Sequence, residues 1–517
     1  MNERPNHGRS SLTSVANKIK TLWQRAKRLR CAYNRRMEQR YSPSMVATIA
    51  TVLCFAIAVI LLFLPRCIGV ADDGSLHTVM DQVGLQYSEL DAEQPAGAYF
   101  VCTYERMPSG VSAGFSTHFF MIRLAMGLDH FFSPDNFFDV RFLAVLYLCL
   151  YLPAVWLITK QATLRVKYAS EGTIIGCTSV LLFADVSYLS YFNSLYPEAL
   201  WFICLLYCCG FCLSLQRAGR WDAVWILLLV VFGLWLTLIE QHCAIFGFFL
   251  ALFCLKQMRM DRAKYSTRAV AVLSALVLVL GGFGSFMSGP SRFSIDSKLN
   301  AMTSGVLLES ANPERTLGEF GIDARFETLA DTSSYSTYPL TKAENWELQT
   351  EFYNRYSTPS LLLYYVRHPA AMAALMEQGV HAAFAVRRDY CGNYERSVGM
   401  PPRGQTPLFA LASTFKVRSM PKTLGYLLLL AIVYGMMLTK KTASGMRSRA
   451  RNIALDTFWI MMSGGLAHVF YIILRSGTAE LSRYSLILSV CIDLVSLLTV
   501  AEILHRLNML ETGEGKT

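Results

Sequence analysis

Three short stretches carry side chains whose types and spacing could do chemistry. Asp72-Asp73-Gly74 sets two carboxylates side by side, a few residues beyond an apolar run. Adjacent acids there have three readings: solvated loop acids, a seat for a divalent cation, or a general base for a hydroxyl. Tyr191-Phe192-Asn193-Ser194-Leu195-Tyr196-Pro197-Glu198 closes one apolar run and opens the next. An acid in the first turn of a helix is stabilised by the helix dipole whatever else it does. With Asn193 and Tyr196 beside it, Glu198 could equally line a polar cavity. Arg475 and Arg483-Tyr484 flank a short turn that contains Gly477. Arginine suits a phosphate because its guanidinium is always charged and forks onto two oxygens. The competing role for Arg and Tyr at this depth is anchoring among lipid headgroups.

The elements that must position these residues are apolar. Of 517 residues, 53% are hydrophobic and 16% charged, whereas a soluble domain carries about 25% charged residues. That composition excludes a disordered chain and argues against an ordinary soluble enzyme. Fourteen cysteines are too few for a disulfide scaffold. The apolar residues fall in blocks at 45–64, 141–158, 174–190, 199–215, 223–239, 243–256, 269–288, 424–439, 453–474 and 485–504. The sequence therefore predicts an all-α polytopic membrane protein with about ten transmembrane helices. Residues 1–44 hold eleven Lys/Arg against Glu3 and Glu38, nearly the whole net charge of +11. A basic arm can mean nucleic acid or anionic lipid. This one runs straight into the first apolar block, so it reads as the cytoplasmic side of an uncleaved anchor, with no nucleic-acid partner.

The loop charges set the orientation. The connectors 159–173, 216–222, 257–268 and 440–452 are basic, while 66–140 is acidic. That alternation places both termini in the cytoplasm of a multi-pass cell-membrane protein. The organisation follows: a basic arm over 1–44, a transmembrane module over 45–289 with a first extracytoplasmic loop at 66–140, an extracytoplasmic insert over 290–422, and C-terminal transmembrane helices over 423–517. The apolar spacing at 115, 119, 122 and 126 predicts a helix lying in the interface, carrying His118. Asn312-Pro313-Glu314 reads as a helix start, and Pro369 divides 360–386 into two interfacial helices, so the insert is mainly helical. Glu240-Gln241-His242 reads as a tight polar turn between two blocks. Asp456 and Asp493 are intramembrane acids with no partner assigned. Cys67, Cys102 and Cys391 all lie in outer segments and cannot be paired from sequence. No nucleotide-binding loop, dinucleotide fingerprint, zinc-protease helix or serine-hydrolase elbow is present.

The order of these features resembles the GT-C superfamily of membrane glycosyltransferases, and within it the WsfD-type glycan-biosynthesis hexosyltransferases. The likeness is carried by Asp72-Asp73-Gly74-Ser75, Tyr191-Phe192-Asn193-Ser194 with Glu198, Leu299-Asn300, Asn312-Pro313-Glu314 and Glu480-Leu481-Ser482-Arg483. The resemblance implies an inverting transfer of a hexose from a polyprenyl-phosphate donor to a glycan or lipid acceptor outside the membrane. Asp72 or Asp73 would take the acceptor proton. Arg475, Arg483 and Tyr484 would hold the lipid phosphate, and Tyr196, Glu198, Asn193 and His118 the sugar. No metal is demanded, although the acid pair could hold a divalent cation. The alternatives are a transporter or flippase of a lipid-linked sugar, a polymerase or ligase of lipid-linked glycan, and a non-catalytic structural or sensor protein.

Overall fold

A computed structural model of the chain describes residues 20–512 apart from 22–23, 26, 38–40, 93–96, 108–115, 218, 259–264, 288–290, 335–344 and 440–447. Phe115, most of the basic arm and the centres of two basic connectors lie outside the described residues. Each of the ten apolar blocks is helical. The first, α1 (Pro43–Leu62), starts where the Ser42 hydroxyl accepts from the Met45 N–H at 3.1 Å and Pro43 fixes the first turn. After it come β1 (Ile68–Val70), α2 (Leu76–Val83), β2 (Leu85–Gln86) and β3 (Thr103–Arg106). Next are α3 (Thr117–Phe132), β4 (Phe137–Asp139), α4 (Arg141–Thr163), α5 (Ala169–Phe183), α6 (Val186–Leu189) and a 3-10 turn over Ser190–Asn193. The helices α7 (Glu198–Ser214), α8 (Asp222–Thr237), α9 (Ala244–Gln257) and α10 (Tyr265–Met287) complete the first half.

The insert supplies α11 (Ser291–Ala301), α12 (Pro313–Glu319), α13 (Thr358–Arg367), α14 (Pro369–Phe384), β5 (Cys391–Tyr394) and α15 (Leu411–Ser419). The chain ends in α16 (Leu424–Thr439), α17 (Ser448–Ser476) and α18 (Leu481–Thr512).

Among the described residues five helices are long and apolar enough to cross a membrane, or up to seven if each bent pair, α5 with 186–193 and α15 with α16, counts as one span. The segments α7, α8 and 241–257 are apolar but shorter. At 1.5 Å per residue the 16 residues of α8 reach about 24 Å, against a hydrocarbon core of about 30 Å. The fold is thus the expected polytopic helical bundle, with five to seven candidate spans rather than ten of full length.

Every residue of α7 is buried, so it is the pillar of the bundle, packed by α4, α8, α17 and α18. The outer helices present apolar side chains outward, among them Phe55 on α1, Leu280 on α10 and Ile432 on α16. Such surface belongs against lipid tails.

Two small sheets, unforeseen in the sequence, sit above the bundle. Antiparallel β1–β5 joins the first loop to the insert, and antiparallel β2–β3–β4 braces the first loop. Strands of two to four residues carry too little alternation to be read from sequence. The helix α3 forms as its spacing predicts. His118, Met121, Ile122 and Ala125 face inward, while Phe120, Leu124, Leu128, Phe131 and Phe132 are exposed. The insert holds the predicted helix start, with Asn312 accepting from the Arg315 N–H at 3.0 Å, and the break at Pro369.

Asp493 finds partners that the sequence left unassigned. Lys416 of α15 donates to it at 2.6 Å, and the Tyr188 hydroxyl does so at 2.6 Å. Asp456 pairs with Lys256. Both are ties between helices.

Candidate functional site

Residues from four distant parts of the chain meet at one end of the bundle. The acid loop follows β1, which hydrogen bonds to β5 hold in place. Asp72 Oδ1 accepts from the N–H groups of Gly74 at 2.8 Å and Leu76 at 3.1 Å, and Oδ2 from the Tyr87 hydroxyl at 2.9 Å. Its oxygens shape the loop and start α2, and Oδ1 also accepts from the Tyr196 hydroxyl at 3.2 Å. Asp73 is placed differently. Its Oδ1 accepts from the Ser75 N–H at 3.0 Å, the Ser75 hydroxyl at 2.6 Å and the Tyr196 hydroxyl at 2.7 Å. Its residue keeps an exposed edge. Burial pushes the Asp73 carboxyl up, but the Arg483 charge and the hydrogen bonds from Ser75 and Tyr196 outweigh it and hold the group below the ordinary carboxylate range.

Glu198, the first residue of α7, is 1% exposed and bonds through Oε1 to Arg483 Nε at 2.9 Å. Its Oε2 has no hydrogen-bond partner among the described residues. Arg483 also donates to the Ser75 hydroxyl at 3.2 Å and lies over the rings of Tyr196 at 5.1 Å and Tyr484 at 5.5 Å. Asp73, Tyr196, Glu198 and Arg483 thus form one contiguous cluster, and Tyr484 is its floor.

Three predicted site residues are placed otherwise. Asn193 is buried and donates to the carbonyls of Leu62 at 3.0 Å and Ile68 at 2.9 Å. It fixes the entry to the acid loop through its amide nitrogen, while its Oδ1 has no hydrogen-bond partner among the described residues. His118 is buried with Nε2 bonded to the Leu195 carbonyl at 2.8 Å. Burial pushes its ring down to about 4, so it is neutral at pH 7 and holds the residue before Tyr196. Arg475 does not join Arg483; its guanidinium donates to Gln241 at 2.7 Å.

The turn between α8 and α9 is the part that sequence reasoning missed. Glu240 stands beside this cluster. Burial pushes its carboxyl up, against the pull of Arg483, His118 and Arg475. His242 packs on Tyr484 at 4.2 Å and on Trp201 at 5.2 Å. The only signal in the sequence was a polar triplet too short for anything but a turn. Among the described residues no group of three or more His, Cys, Asp or Glu side chains is arranged to hold a metal.

A mainly helical bundle with outward apolar faces and a charged cluster at one end defines a polytopic membrane protein. The chain belongs to the family described as the YfdI N-terminal transmembrane domain, whose model matches residues 31–516. No curated protein and no solved structure matches it.

Proposed function

We propose that the chain is a membrane-embedded glycosyltransferase of the GT-C type. It would move a hexose from a polyprenyl-phosphate donor to a cell-surface glycan or lipid on the extracytoplasmic face, with both termini in the cytoplasm. One observation carries this reading: a carboxylate with an exposed edge, Asp73, shares a cluster with a half-buried arginine, Arg483, although they lie at opposite ends of the chain. Asp73 takes the proton of the acceptor hydroxyl as its oxygen attacks the anomeric carbon. The bond from that carbon to the phosphate oxygen breaks, and its electron pair leaves with the polyprenyl phosphate. The leaving phosphate is already a stable anion, so no second acid must protonate it, unlike in glycosidases. Arg483 supplies positive charge to the phosphate. The exposed apolar face of α3 gives the lipid tail a surface beside the cluster, because His118 on its inner face holds Leu195.

The test is a transfer assay with purified protein in lipid, a panel of polyprenyl-phosphoryl hexoses and a glycolipid acceptor. Sugar appearing on the acceptor with stoichiometric release of polyprenyl phosphate supports the reading. Movement of the intact donor across a vesicle membrane, without transfer, would replace it with a flippase.

A further inference from the structure

One set of polar groups beside the cluster has no part in the proposed transfer. Glu240 Oε2 and His242 Nε2 are 2.9 Å apart, and His242 Nδ1 and His468 Nε2 are 2.8 Å apart. His468 lies on α17, the helix that ends in Arg475, and is fully buried. Its Nδ1 has no hydrogen-bond partner among the described residues.

The direction of this chain follows from donor and acceptor counting. A hydrogen bond between two imidazoles needs one ring nitrogen bare and the other carrying hydrogen. A carboxylate at Glu240 accepts only, so His242 donates through Nε2 and its Nδ1 is bare. His468 must then donate through Nε2. Every proton points towards the carboxylate, and the second bare nitrogen falls on His468 Nδ1. The chain ends there, so it carries no proton onward. What it does is fix which oxygen of Glu240 is tied and which is free. Apolar side chains would pack the same space without leaving a buried nitrogen bare, so packing alone does not account for two histidines.

The turn that bears Glu240 is held by α3, by Arg475 and by Tyr484, the floor of the cluster. The Ile239 carbonyl accepts from the Ser116 hydroxyl at 2.7 Å, and the Leu238 carbonyl from the Thr117 N–H at 3.1 Å, next to His118. Gln241 accepts from Arg475 at 2.7 Å. His242 packs on Tyr484, the neighbour of Arg483. The Glu240 side chain is 30% exposed, against 1% for Glu198. Glu198 is closed off by Arg483, whereas Glu240 has an oxygen to offer.

We propose that Glu240 is a further ligand-facing carboxylate of this site, accepting from a sugar hydroxyl through Oε1, and that His242 and His468 are positioning residues which aim it. A neutral hydroxyl is the fitting partner, because a third carboxylate beside Asp73 and Glu198 repels a phosphate. The identity of that hydroxyl as a hexose rests on the glycosyltransferase reading; the orientation of the relay does not.

The test uses the full chain labelled with 15N-histidine in lipid nanodiscs. The expected spectrum shows His242 and His468 both protonated at Nε2, and Glu240→Gln shifts the His242 Nε2 signal. His468 protonated at Nδ1, or a His242 signal unmoved by Glu240→Gln, overturns the relay. Titration with a polyprenyl-phosphoryl glucose is expected to move the His242 signal, and no movement at saturation overturns the ligand-facing role. In the transfer assay His468→Leu should lower kcat by about 10²-fold with little change in donor KM. His468→Gln, which can still donate to His242, should recover most of that loss. Equal damage from both variants, with unchanged thermal stability, would also contradict the proposal. Absence of transfer by the wild type would sink the enzyme reading alone, since the spectra still decide the relay.

Discussion

Asp72 and Asp73 are neighbours in sequence with different work in the fold, and substitutions should separate them. Asp72 spends its oxygens on two backbone N–H groups and on the hydroxyls of Tyr87 and Tyr196. Asp72→Ala should lower stability by about 0.5–2 kcal/mol, the range for losing a capping acceptor, while Asp72→Asn, which still accepts, should cost less. Thermal unfolding in detergent would rank them. Asp73 has its folded pKa held down. A depressed carboxylate contributes stability that is present above its unfolded value of about 4 and is lost as pH falls through the folded value. Wild type should therefore lose stability relative to Asp73→Asn only in acid, below about pH 4. An equal pH response of the two proteins would remove Arg483 and Tyr196 as its partners. At this scale the sequence disclosed the residues near span ends that carry charge, because depth along a helix can be counted. It did not disclose Glu240 with His242 and His468. A lone histidine in an apolar run shows its depth but not which helix it faces.

The loop between α17 and α18 places Arg475 and Arg483, and both backbone and side-chain bonds hold it. Gly477 has φ +57°, and a Cβ there would lie 2.6 Å from the Gly305 nitrogen. The Thr478 N–H donates to the Ser304 carbonyl at 3.0 Å, so the insert grips this turn directly. Gly477→Ala combines a left-handed backbone with a clash against main chain that cannot move aside. It should cost at least about 1 kcal/mol and weaken donor binding by shifting both arginines, read as a lower midpoint of thermal unfolding and a higher donor KM. A fully stable, fully active Gly477→Ala would show that the turn does not set the arginines. The helices themselves were legible wherever apolar periodicity or a cap marked them, as in α1, α3 and α12. The sheets were not, since Phe137–Asp139 pairs with Thr103–Arg106 across a whole helix. Pairing at that separation leaves no local trace.

For the whole molecule, the proposed orientation rests on the alternation of loop charge. Cysteines introduced at Thr350 and Ser397, in a background lacking the exposed Cys31, Cys149 and Cys177, should react with an impermeant maleimide on intact cells. Cysteines at positions 217 and 262 should react only after permeabilisation. Labelling of 217 or 262 from outside would invert the scheme. The bundle as a class was legible from composition alone, because ten apolar blocks in one chain have few other fates. The lengths were not, since the apolar block 174–190 continues through the bend at 184–185 that divides two helices in the structure. The central claim is that the cluster around Asp73 and Arg483 performs the transfer. It is tested most directly by the rate at which purified Asp72→Asn, Asp73→Asn double variant transfers hexose from a polyprenyl-phosphoryl donor, compared with wild type in the same lipid. Loss of a general base predicts a fall of ~10²–10⁴-fold with insertion and folding preserved; a folded double variant that transfers at the wild-type rate would contradict it.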